Sequence, residues 1–311
     1  MTIYKLPECT PASSLPEGAV LCLGNFDGVH RGHQRLFDCA REMKDAKGAS
    51  AACAWTFTSV AKAGSPVSCL TDISAKLRLF AEYGLDYAVF EDFSDVCDMS
   101  AEHFVSSYLC KGLSAAGVIC GFNFRFGKGG EGNCDLLSSL AEENGIFCNV
   151  IDAVLSDGEV ISSTLIREYI TSGNISGAAK LLGHPFSIEF PVLHGKELGR
   201  TMGIPTINQS FPEGHIIPCM GIYACTCYVN GEIYLGVANV GVRPTVSSAG
   251  TVNCETHIIN YSGDLYGKEI RVEFYERLRE EMKFDSVDAL RRQIRIDISE
   301  CLDYFATEYG E

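Results

Sequence analysis

The sequence predicts two successive domains, an α/β domain with a doubly wound parallel sheet followed by a small antiparallel β-barrel with a C-terminal helix. Up to about residue 172, buried apolar runs alternate with segments whose apolar residues have helical spacing. From about residue 185 the apolar runs become short and extended, and Asn230-Gly231 joins two of them with the positive φ angles of a two-residue hairpin. Each half is long enough to bury its own core, so we predict domains at residues 1–180 and 181–311.

Composition and charge narrow the possible functions. The chain has 311 residues and a net charge of −15, which disfavours a broad face that binds nucleic acid or an anionic membrane. It has no basic segment followed by an apolar signal core and no apolar run of about 18 residues. We therefore expect a cytoplasmic protein that acts on small molecules and needs no obligate protein partner. The 15 cysteines lie singly in apolar runs without a CxxC pair, which favours reduced thiols in the cores.

The first half is predicted to be a series of β-α-β units preceded by a loose arm or short edge element at residues 1–18. Predicted strands cover residues 19–23, 51–57, 87–90, 117–120 and 147–154, and predicted helices cover residues 34–47, 72–83, 101–111, 134–144 and 164–172. Because crossovers between parallel strands are right-handed, the glycine-containing loops at residues 24–33 and 121–132 are expected to face the same crevice.

The second half is predicted to be all-β until its last helix. Predicted strands cover residues 187–193, 221–229, 232–240, 252–260 and 269–278, and residues 286–305 have the single apolar stripe of an amphipathic helix. The joint between the domains is expected between residues 174 and 185.

The most informative stretch runs from residue 21 to residue 33, where a buried strand turns through glycines into a helix that begins near His30. The free amide groups of a helix start bind anions, and His30 and His33 lie on one face of that helix. We therefore expect a nucleotide triphosphate here, with the two histidines stabilising charge that develops on a phosphate. The alternative is a helix start with two solvated histidines.

Two further stretches in this half have weaker signals. Ser162-Ser163-Thr164 supplies hydroxyls that can cap a helix, with Arg167 one turn further on, and this is either a plain helix cap or a second phosphate site. The loop at residues 121–127 is bounded by glycines and contains three phenylalanines, which either pack in the core or stack on a ring.

The second half contains a glycine-rich basic loop at residues 195–203, followed by Pro205-Thr206-Ile207-Asn208. In an extended segment Thr206 and Asn208 point to the same side, and their oxygens suit Mg²⁺ that is also bound by phosphates. The alternative is an ordinary β-turn. Glu255 lies in an apolar run and is either a solvated carboxylate or a general base for a substrate hydroxyl.

The first half resembles the adenylyltransferase module of the prokaryotic FAD synthetases, the bifunctional riboflavin kinase/FMN adenylyltransferases. Residues 24–33 match the nucleotidyltransferase motif of that family throughout, and the other two stretches follow in the family's order. The resemblance implies that His30 and His33 are catalytic and contact ATP phosphates, and that Asn123 lies near the reacting groups. It assigns these residues to ATP: Gly24, Asn25, Phe26, Asp27, Gly28, His30, His33, Asn123, Ser163, Thr164 and Arg167.

The second half resembles the kinase module of the same family, in which Pro-Thr-Ala-Asn corresponds to residues 205–208 here, with Ile207 in place of alanine. The resemblance implies that Thr206 and Asn208 bind Mg²⁺, that Glu255 activates the riboflavin 5′-hydroxyl and that Arg279 contacts the flavin or its phosphate. It assigns these residues to ATP or ADP: Gly195, Lys196, Gly199, Arg200 and Thr206.

The expected function is therefore the conversion of riboflavin and ATP to FMN, and of FMN and a second ATP to FAD and pyrophosphate. The first half departs from the family at residues 57–61, where Phe57-Thr58-Ser59-Val60-Ala61 replaces Phe-x-Pro-His-Pro, at Gly129-Gly130, and at Leu165. The first of these concerns the flavin side of the pocket. One alternative is thus a riboflavin kinase whose adenylyltransferase half is lost or retargeted, and another is a flavin-binding module without turnover.

Overall fold

The chain divides into two compact units, Met1–Ser163 and Thr164–Glu311, which are described separately. The computed structural model describes residues 1–58, 68–195, 199, 202–243 and 251–309. Within these residues, no helix is both long and apolar enough to span a bilayer.

The first unit is built on a seven-stranded sheet. Its strands are β1 (Thr2–Lys5), β2 (Thr10–Ala12), β3 (Val20–Leu23), β4 (Ala52–Phe57), β5 (Tyr87–Glu91), β6 (Gly117–Gly121) and β7 (Phe147–Ile151). Its helices are α1 (Arg31–Lys47), α2 (Ile73–Glu82), α3 (Phe93–Val96), α4 (Ala101–His103, continued by a π-helix at Phe104–Gly112) and α5 (Cys134–Glu143). A small hairpin follows, formed by β8 (Leu155–Ser156) and β9 (Glu159–Val160).

The strand order in this sheet is β2-β1-β5-β4-β3-β6-β7, and the last five strands are parallel. Every residue of β3 is buried, as expected for a strand with helices on both faces. The strand order reverses between β3 and β6, so the loops after these two strands open at the switch point, where α/β sheets bind their ligands. The predicted parallel sheet is confirmed, and the two glycine-containing loops follow adjacent strands.

Some predicted elements differ from the structure. Of the two options for residues 1–18, the structure has the edge element, because β1 and β2 form a hairpin at the sheet edge with β1 antiparallel to β5. The predicted helix at residues 101–111 is mostly a π-helix whose buried side chains are Phe104, Val105 and Leu109. The predicted strand at residues 147–154 ends at Ile151.

The second unit is a nearly closed antiparallel barrel of six strands, as predicted. Its elements are α6 (Ser163–Ser172, which begins at the last residue of the first unit), α7 (Ile175–Leu182), β10 (Phe186–Pro191), β11 (Ile207–Ser210), β12 (Gly221–Val229), β13 (Glu232–Arg243), β14 (Thr251–Ile258), β15 (Glu269–Arg279) and α8 (Val287–Tyr309). The strand order is β10-β15-β12-β13-β14-β11, and a bridge between Leu193 and Asn208 brings the two edges together. The helix α7, which occupies the range expected for the domain joint, packs on β10 and β15. The boundary at residue 180 stays a prediction.

The two faces of the barrel strands have different roles. Gln209 of β11 lies inside, because its side-chain amide donates to the carbonyls of Phe190 and Ile270 across the barrel, both at 2.7 Å. The other face of β12 and β13 packs against α8 through a small apolar cluster made of Ile222, Ala224, Val237, Ile259, Cys301 and Phe305. The helix therefore covers part of the outer wall, and the alternate residues of each strand lie on this outer face.

Candidate active sites

The loop after β3 is a tight turn held by left-handed backbone. Phe26, Gly28 and Val29 have φ angles of 50°, 81° and 41°. The Phe26 ring is fully buried against Phe37 and Phe80, and this packing offsets the strain of its backbone. A Cβ atom on Gly24 would lie 2.9 Å from the Phe26 ring, so the turn requires glycine there.

The Asp27 carboxylate fixes this turn to the segment that precedes α2. Its Oδ1 accepts hydrogen bonds from the amides of Leu70, at 2.8 Å, and Thr71, at 3.2 Å. The Gly28 amide donates in return to the Thr71 hydroxyl at 3.0 Å. The Ser163 hydroxyl donates to the Asp27 carbonyl at 2.8 Å, so the structure brings this predicted site residue to the turn. Asp27 therefore supports the shape of the turn, and its predicted contact with ATP stays a prediction.

The two histidines lie together at the start of α1, as their spacing predicts. Their ring centroids are 3.6 Å apart and the ring planes are 19° from parallel. A Cβ atom on Gly32 would lie 3.0 Å from the His30 ring, so glycine between the histidines makes room for the stack. The first amide groups of the 17-residue helix lie beside the rings, which gives the partial positive charge that attracts a phosphate.

A buried lysine adds charge to this site. The Lys76 side chain is 2% exposed, and its ammonium group donates to the Asn25 carbonyl at 2.7 Å. Burial lowers the pKa of Lys76 to about 8, although nearby Asp27 acts in the opposite direction. Burial also lowers the pKa of His33 well below its usual value. The charges of His30 and Lys76 lower it further, by smaller amounts. His33 is consequently a neutral ring at pH 7.

Sequence reasoning missed Lys76, although a signal was present. The residue lies on the apolar face of α2, where Leu79 and Phe80 follow it at helical spacing and are buried. A lysine in such a position is uncommon unless its ammonium group has a specific acceptor.

The remaining predicted residues of this half, Asn123, Thr164 and Arg167, lie on elements other than the loop after β3 and α1. Asn123 lies in the exposed turn after β6, where the Phe124 amide donates to the Gly121 carbonyl at 3.0 Å. Thr164 and Arg167 lie in the first turns of α6 and belong to the second unit. Their roles at the nucleotide stay predictions.

The second site is a row of side chains across the outer face of the barrel. Asn208 on β11 pairs directly with Glu255 on β14, and Glu255 pairs directly with Asn239 on β13. Asn239 pairs with Ile222 on β12, which in turn pairs with Arg279 on β15. Directly opposite residues share one face, with Cβ atoms about 4.5–5.5 Å apart. Three residues that the resemblance assigns to the kinase site therefore lie in one line.

Asn253 connects the first two members of this row. Its Nδ2 atom donates to Oδ1 of Asn208 at 3.3 Å and to Oε1 of Glu255 at 3.5 Å, and both asparagines are buried. The first of these bonds turns the oxygen of the Asn208 amide towards Asn253. The other end faces Gly195, where a Cβ atom would lie 2.5 Å from Nδ2 of Asn208. Sequence reasoning missed Asn253 and Asn239, and the signal for both was an asparagine within an apolar strand.

The residues predicted to bind Mg²⁺ have the donor chemistry that this ion requires. Thr206 and Asn208 offer neutral oxygens, and Asn253 holds the amide oxygen of Asn208 in a fixed orientation. Among the described residues, no group of three or more His, Cys, Asp or Glu side chains forms a metal site. A hard ion held by two neutral oxygens and by nucleotide phosphates fits this arrangement.

The glycine-rich loop is described only in part. Gly195 and Gly199 are described, and a Cβ atom on Gly199 would lie 3.5 Å from the Thr206 hydroxyl. The predicted phosphate contacts Lys196 and Arg200 lie outside the described residues. The two glycines therefore place the loop beside Thr206 and Asn208.

A cavity that was not predicted from the sequence opens beside Thr206. It lies between the strand ends and the loop at residues 261–266. The His194 and Tyr266 rings stack at its edge with centroids 3.8 Å apart. Its lining residues are Val192, Pro205, Thr206, Ile207, Thr256, Ile258, Tyr261, Ser262, Gly263, Asp264, Leu265 and Tyr266. A flat ring with polar edges would fit these walls, which combine apolar and aromatic side chains with polar ones such as Ser262 and Asp264.

Arg279 is held by a buried ion pair. Its Nε and Nη2 atoms donate to the two carboxylate oxygens of Asp297 on α8, at 2.6 and 2.7 Å. Gln293 also donates to this carboxylate at 3.0 Å, and Nη1 of Arg279 donates to the Glu280 carbonyl at 2.8 Å. Arg279 therefore anchors α8 to the end of the row, and its predicted flavin contact stays a prediction.

The two sites define a two-domain enzyme that transfers phosphorus-containing groups from nucleotides. A family model described as FAD synthetase matches residues 12–165, and a model described as riboflavin kinase matches residues 182–305. The chain belongs to the bifunctional riboflavin kinase/FMN adenylyltransferase family, and the predicted resemblance is confirmed.

The curated relatives match along nearly the whole chain. The bifunctional riboflavin kinase/FMN adenylyltransferase of Escherichia coli (strain K12) is 37% identical over 296 residues, which are 93% of each chain. The proteins of the same name from Listeria monocytogenes and Bacillus subtilis are 34% and 32% identical, over 98% and 93% of each chain. A solved structure titled as a macrolide-efflux protein from Streptococcus pneumoniae has a TM-score of 0.82 and 28% identity, over 92% of this chain and 94% of that chain.

Proposed function

We infer that the chain makes FAD in two steps. The second domain transfers the γ-phosphoryl group of ATP to riboflavin and releases FMN and ADP. The first domain transfers the adenylyl group of a second ATP to FMN and releases FAD and pyrophosphate. Family membership supports both activities, and we propose domains at residues 1–180 and 181–311 for them.

The observation that carries the kinase proposal is the pairing of Asn208 with Glu255 under the shared amide of Asn253. A carboxylate beside the metal-binding oxygens can accept the proton of the riboflavin 5′-hydroxyl. The hydroxyl oxygen then bonds to the γ-phosphorus as the bond from that phosphorus to ADP breaks. Glu255 thus makes the alcohol a better nucleophile without any covalent enzyme intermediate.

Three features of the second domain orient the nucleotide in this reaction. Thr206 and Asn208 hold Mg²⁺, which when bound neutralises charge on the phosphate oxygens. Gly195 and Gly199 let the loop approach the phosphates closely, and Lys196 and Arg200 add cationic contacts. The cavity beside Thr206 receives the adenine ring. Each of these assignments is part of the proposal.

The adenylyltransferase site acts by electrostatic stabilisation of the transition state. The FMN phosphate is already ionised at pH 7 and attacks the α-phosphorus without losing a proton to the enzyme, as pyrophosphate leaves. His30 and His33 donate hydrogen bonds to the oxygens on which charge develops, and the start of α1 adds its partial positive charge. The proposal extends to Gly24, Asn25, Phe26, Asp27, Gly28, Asn123, Ser163, Thr164 and Arg167 as nucleotide contacts.

An aromatic wall near this site supports a flavin acceptor. Phe57 at the carboxyl end of β4 packs edge-on against Trp55 and against Phe93, whose side chain is 48% exposed. The exposed Phe93 ring at the ligand edge of the parallel sheet suits contact with a flat ring system. The segment that differs from the family pattern, residues 57–61, begins at Phe57. Its residues Ser59, Val60 and Ala61 lie outside the described residues.

The protein is proposed to act in the cytoplasm on riboflavin, FMN and ATP, without nucleic acid, membrane or an obligate protein partner. Its acidity is consistent with this, because net charge of one sign keeps a protein soluble.

One assay tests both activities. The protein is incubated with riboflavin and Mg-ATP, and the products are separated by chromatography. FMN should form first and FAD should follow. Accumulation of FMN without FAD would remove the adenylyltransferase claim, and unchanged riboflavin would remove the kinase claim.

A further inference from the structure

We propose that Asn239 binds the substrate hydroxyl next to the one that is phosphorylated, and that it makes the kinase site specific for a polyol chain. The residue lies in the second domain and is not among those that the resemblance assigns to a function. The proposal rests on the kinase activity proposed above. It identifies the hydroxyl group by which the site recognises the acceptor alcohol.

The order of residues in the row places Asn239 at the right position. Asn208, which is proposed to hold the metal and therefore the phosphoryl donor, lies on one side of Glu255. Asn239 lies on the other side, one strand away. An alcohol whose reacting hydroxyl contacts Glu255 must extend away from the phosphoryl donor, and this direction leads to Asn239. In riboflavin the adjacent carbon carries the 4′-hydroxyl.

The side chain of Asn239 has an unused hydrogen-bond acceptor. Its Oδ1 atom is buried and has no hydrogen-bond partner among the described residues. A buried amide oxygen without a partner destabilises the folded protein unless a ligand or water supplies the bond. A secondary hydroxyl of the substrate would donate that bond.

The neighbours of Asn239 in the structure do not compete for this oxygen. On its own strand the residues on the same face are Val237 and Gly241, and across β12 the partner is Ile222. Ile222 and Val237 are buried members of the apolar cluster under α8. The row thus passes from metal-binding oxygens to a base and then to a hydroxyl acceptor, and beyond Asn239 it is closed by Ile222 and by the Arg279 ion pair under α8. This order of metal-binding oxygens, base and hydroxyl acceptor matches a polyol chain that is phosphorylated at its terminal hydroxyl.

The test compares riboflavin with 4′-deoxyriboflavin, which keeps the 5′-hydroxyl and lacks the adjacent one. The natural chain should phosphorylate riboflavin with a kcat/KM at least about tenfold higher than that of the analogue, because one buried hydrogen bond is lost. In Asn239→Leu, which has similar volume and no acceptor, the two kcat/KM values should become equal. The KM for ATP should not change. Binding of both flavins without nucleotide, measured by quenching of flavin fluorescence, should show the same loss of discrimination.

Asn253→Ser is the matched control, because Asn253 lies on the same face but contacts Asn208 and Glu255 instead of the alcohol's next carbon. It should lower kcat for both flavins and keep the ratio between them. Should Asn239→Leu fail to fold, Asn239→Ala is used for the same comparison. Discrimination that persists in the folded Asn239 variant would overturn the proposal. A natural chain that phosphorylates neither flavin would instead overturn the proposed kinase function.

Discussion

The imidazole rings of His30 and His33 stack with their centroids 3.6 Å apart at the start of α1. Two protonated rings in this arrangement would repel each other, and the ammonium group of buried Lys76 adds to the repulsion. His33 therefore presents a neutral imidazole at pH 7, and positive charge at the site comes from the helix start and from Lys76.

The first prediction concerns the protonation of His33. Its pKa is lowered in the folded chain, so the unfolded chain takes up a proton first as the pH falls. The free energy of unfolding should therefore decrease as the pH falls from about 6.5 towards the lowered folded pKa. Lys76→Met removes one of the causes and should raise the pKa of His33 in an NMR titration of its Cε1–H signal. The matched control is Lys128→Met, an exposed lysine, which should leave that titration unchanged.

The second prediction is that a substitution at the adenylyltransferase site removes only the second activity. His33→Ala removes an oriented donor, which should lower the rate of FAD formation from supplied FMN by about 100- to 1000-fold, or about 3–4 kcal/mol. Phosphorylation of riboflavin should be unchanged. Full adenylylation in the variant would contradict the role assigned to His33.

The third prediction is that a substitution at the kinase site removes only the first activity. Glu255→Gln keeps the size of the side chain but cannot accept the proton, so FMN formation should fall by about 100- to 10,000-fold. FAD formation from supplied FMN should be retained. Equal loss of both activities would argue against two separate sites.

The fourth prediction concerns the contact between Gly195 and Asn208. In Gly195→Ala the new Cβ would lie 2.5 Å from Nδ2 of Asn208, so the amide or the loop must move. We expect kcat/KM for riboflavin phosphorylation to fall by about 10- to 100-fold, with a higher Mg²⁺ requirement. Gly112→Ala in the first unit is the control, since Gly112 has no positive φ angle and a Cβ there would lie 3.4 Å from the Ser107 carbonyl, an ordinary contact, and it should keep the kinase rate.

The fifth prediction concerns the ion pair between Arg279 and Asp297. Asp297→Ala leaves a largely buried guanidinium without its carboxylate, which should cost about 3–5 kcal/mol of stability in the barrel. Hydrogen exchange of the β12 and β15 amides should accelerate accordingly, while the β3 and β4 amides in the other unit serve as the internal reference. Unchanged protection of β15 would show that the ion pair does not stabilise the barrel.

The parts of the fold that the sequence predicted were those with strong local patterns. The apolar runs of the parallel sheet and the Asn230-Gly231 hairpin could be identified because period and turn chemistry depend on a few neighbouring residues. The helix α7 was not predicted, and the residues 1–18 hairpin was only one of two options. Both depend on packing partners that are far away in the chain.

The sites show the same division. The histidine turn and the Thr206–Asn208 pair lie in short motifs, so their residues could be named from the sequence. Asn253, Asn239 and Lys76 act through partners on other elements, at separations that no motif spans. Their placement depends on strand register and on helix packing, which only the folded chain defines.

The hairpin at Asn230-Gly231 has an effect far from its own position. It sets the register between β12 and β13, and β13 carries Asn239 nine residues later, about 30 Å along the strand. Side chains alternate between faces, so one residue added at the turn would move Asn239 from the outer wall to the barrel interior. The length of the exposed Asn230-Gly231 turn therefore determines which residues of β13 face the kinase site. The turn is constrained by this requirement although it lies far from the site.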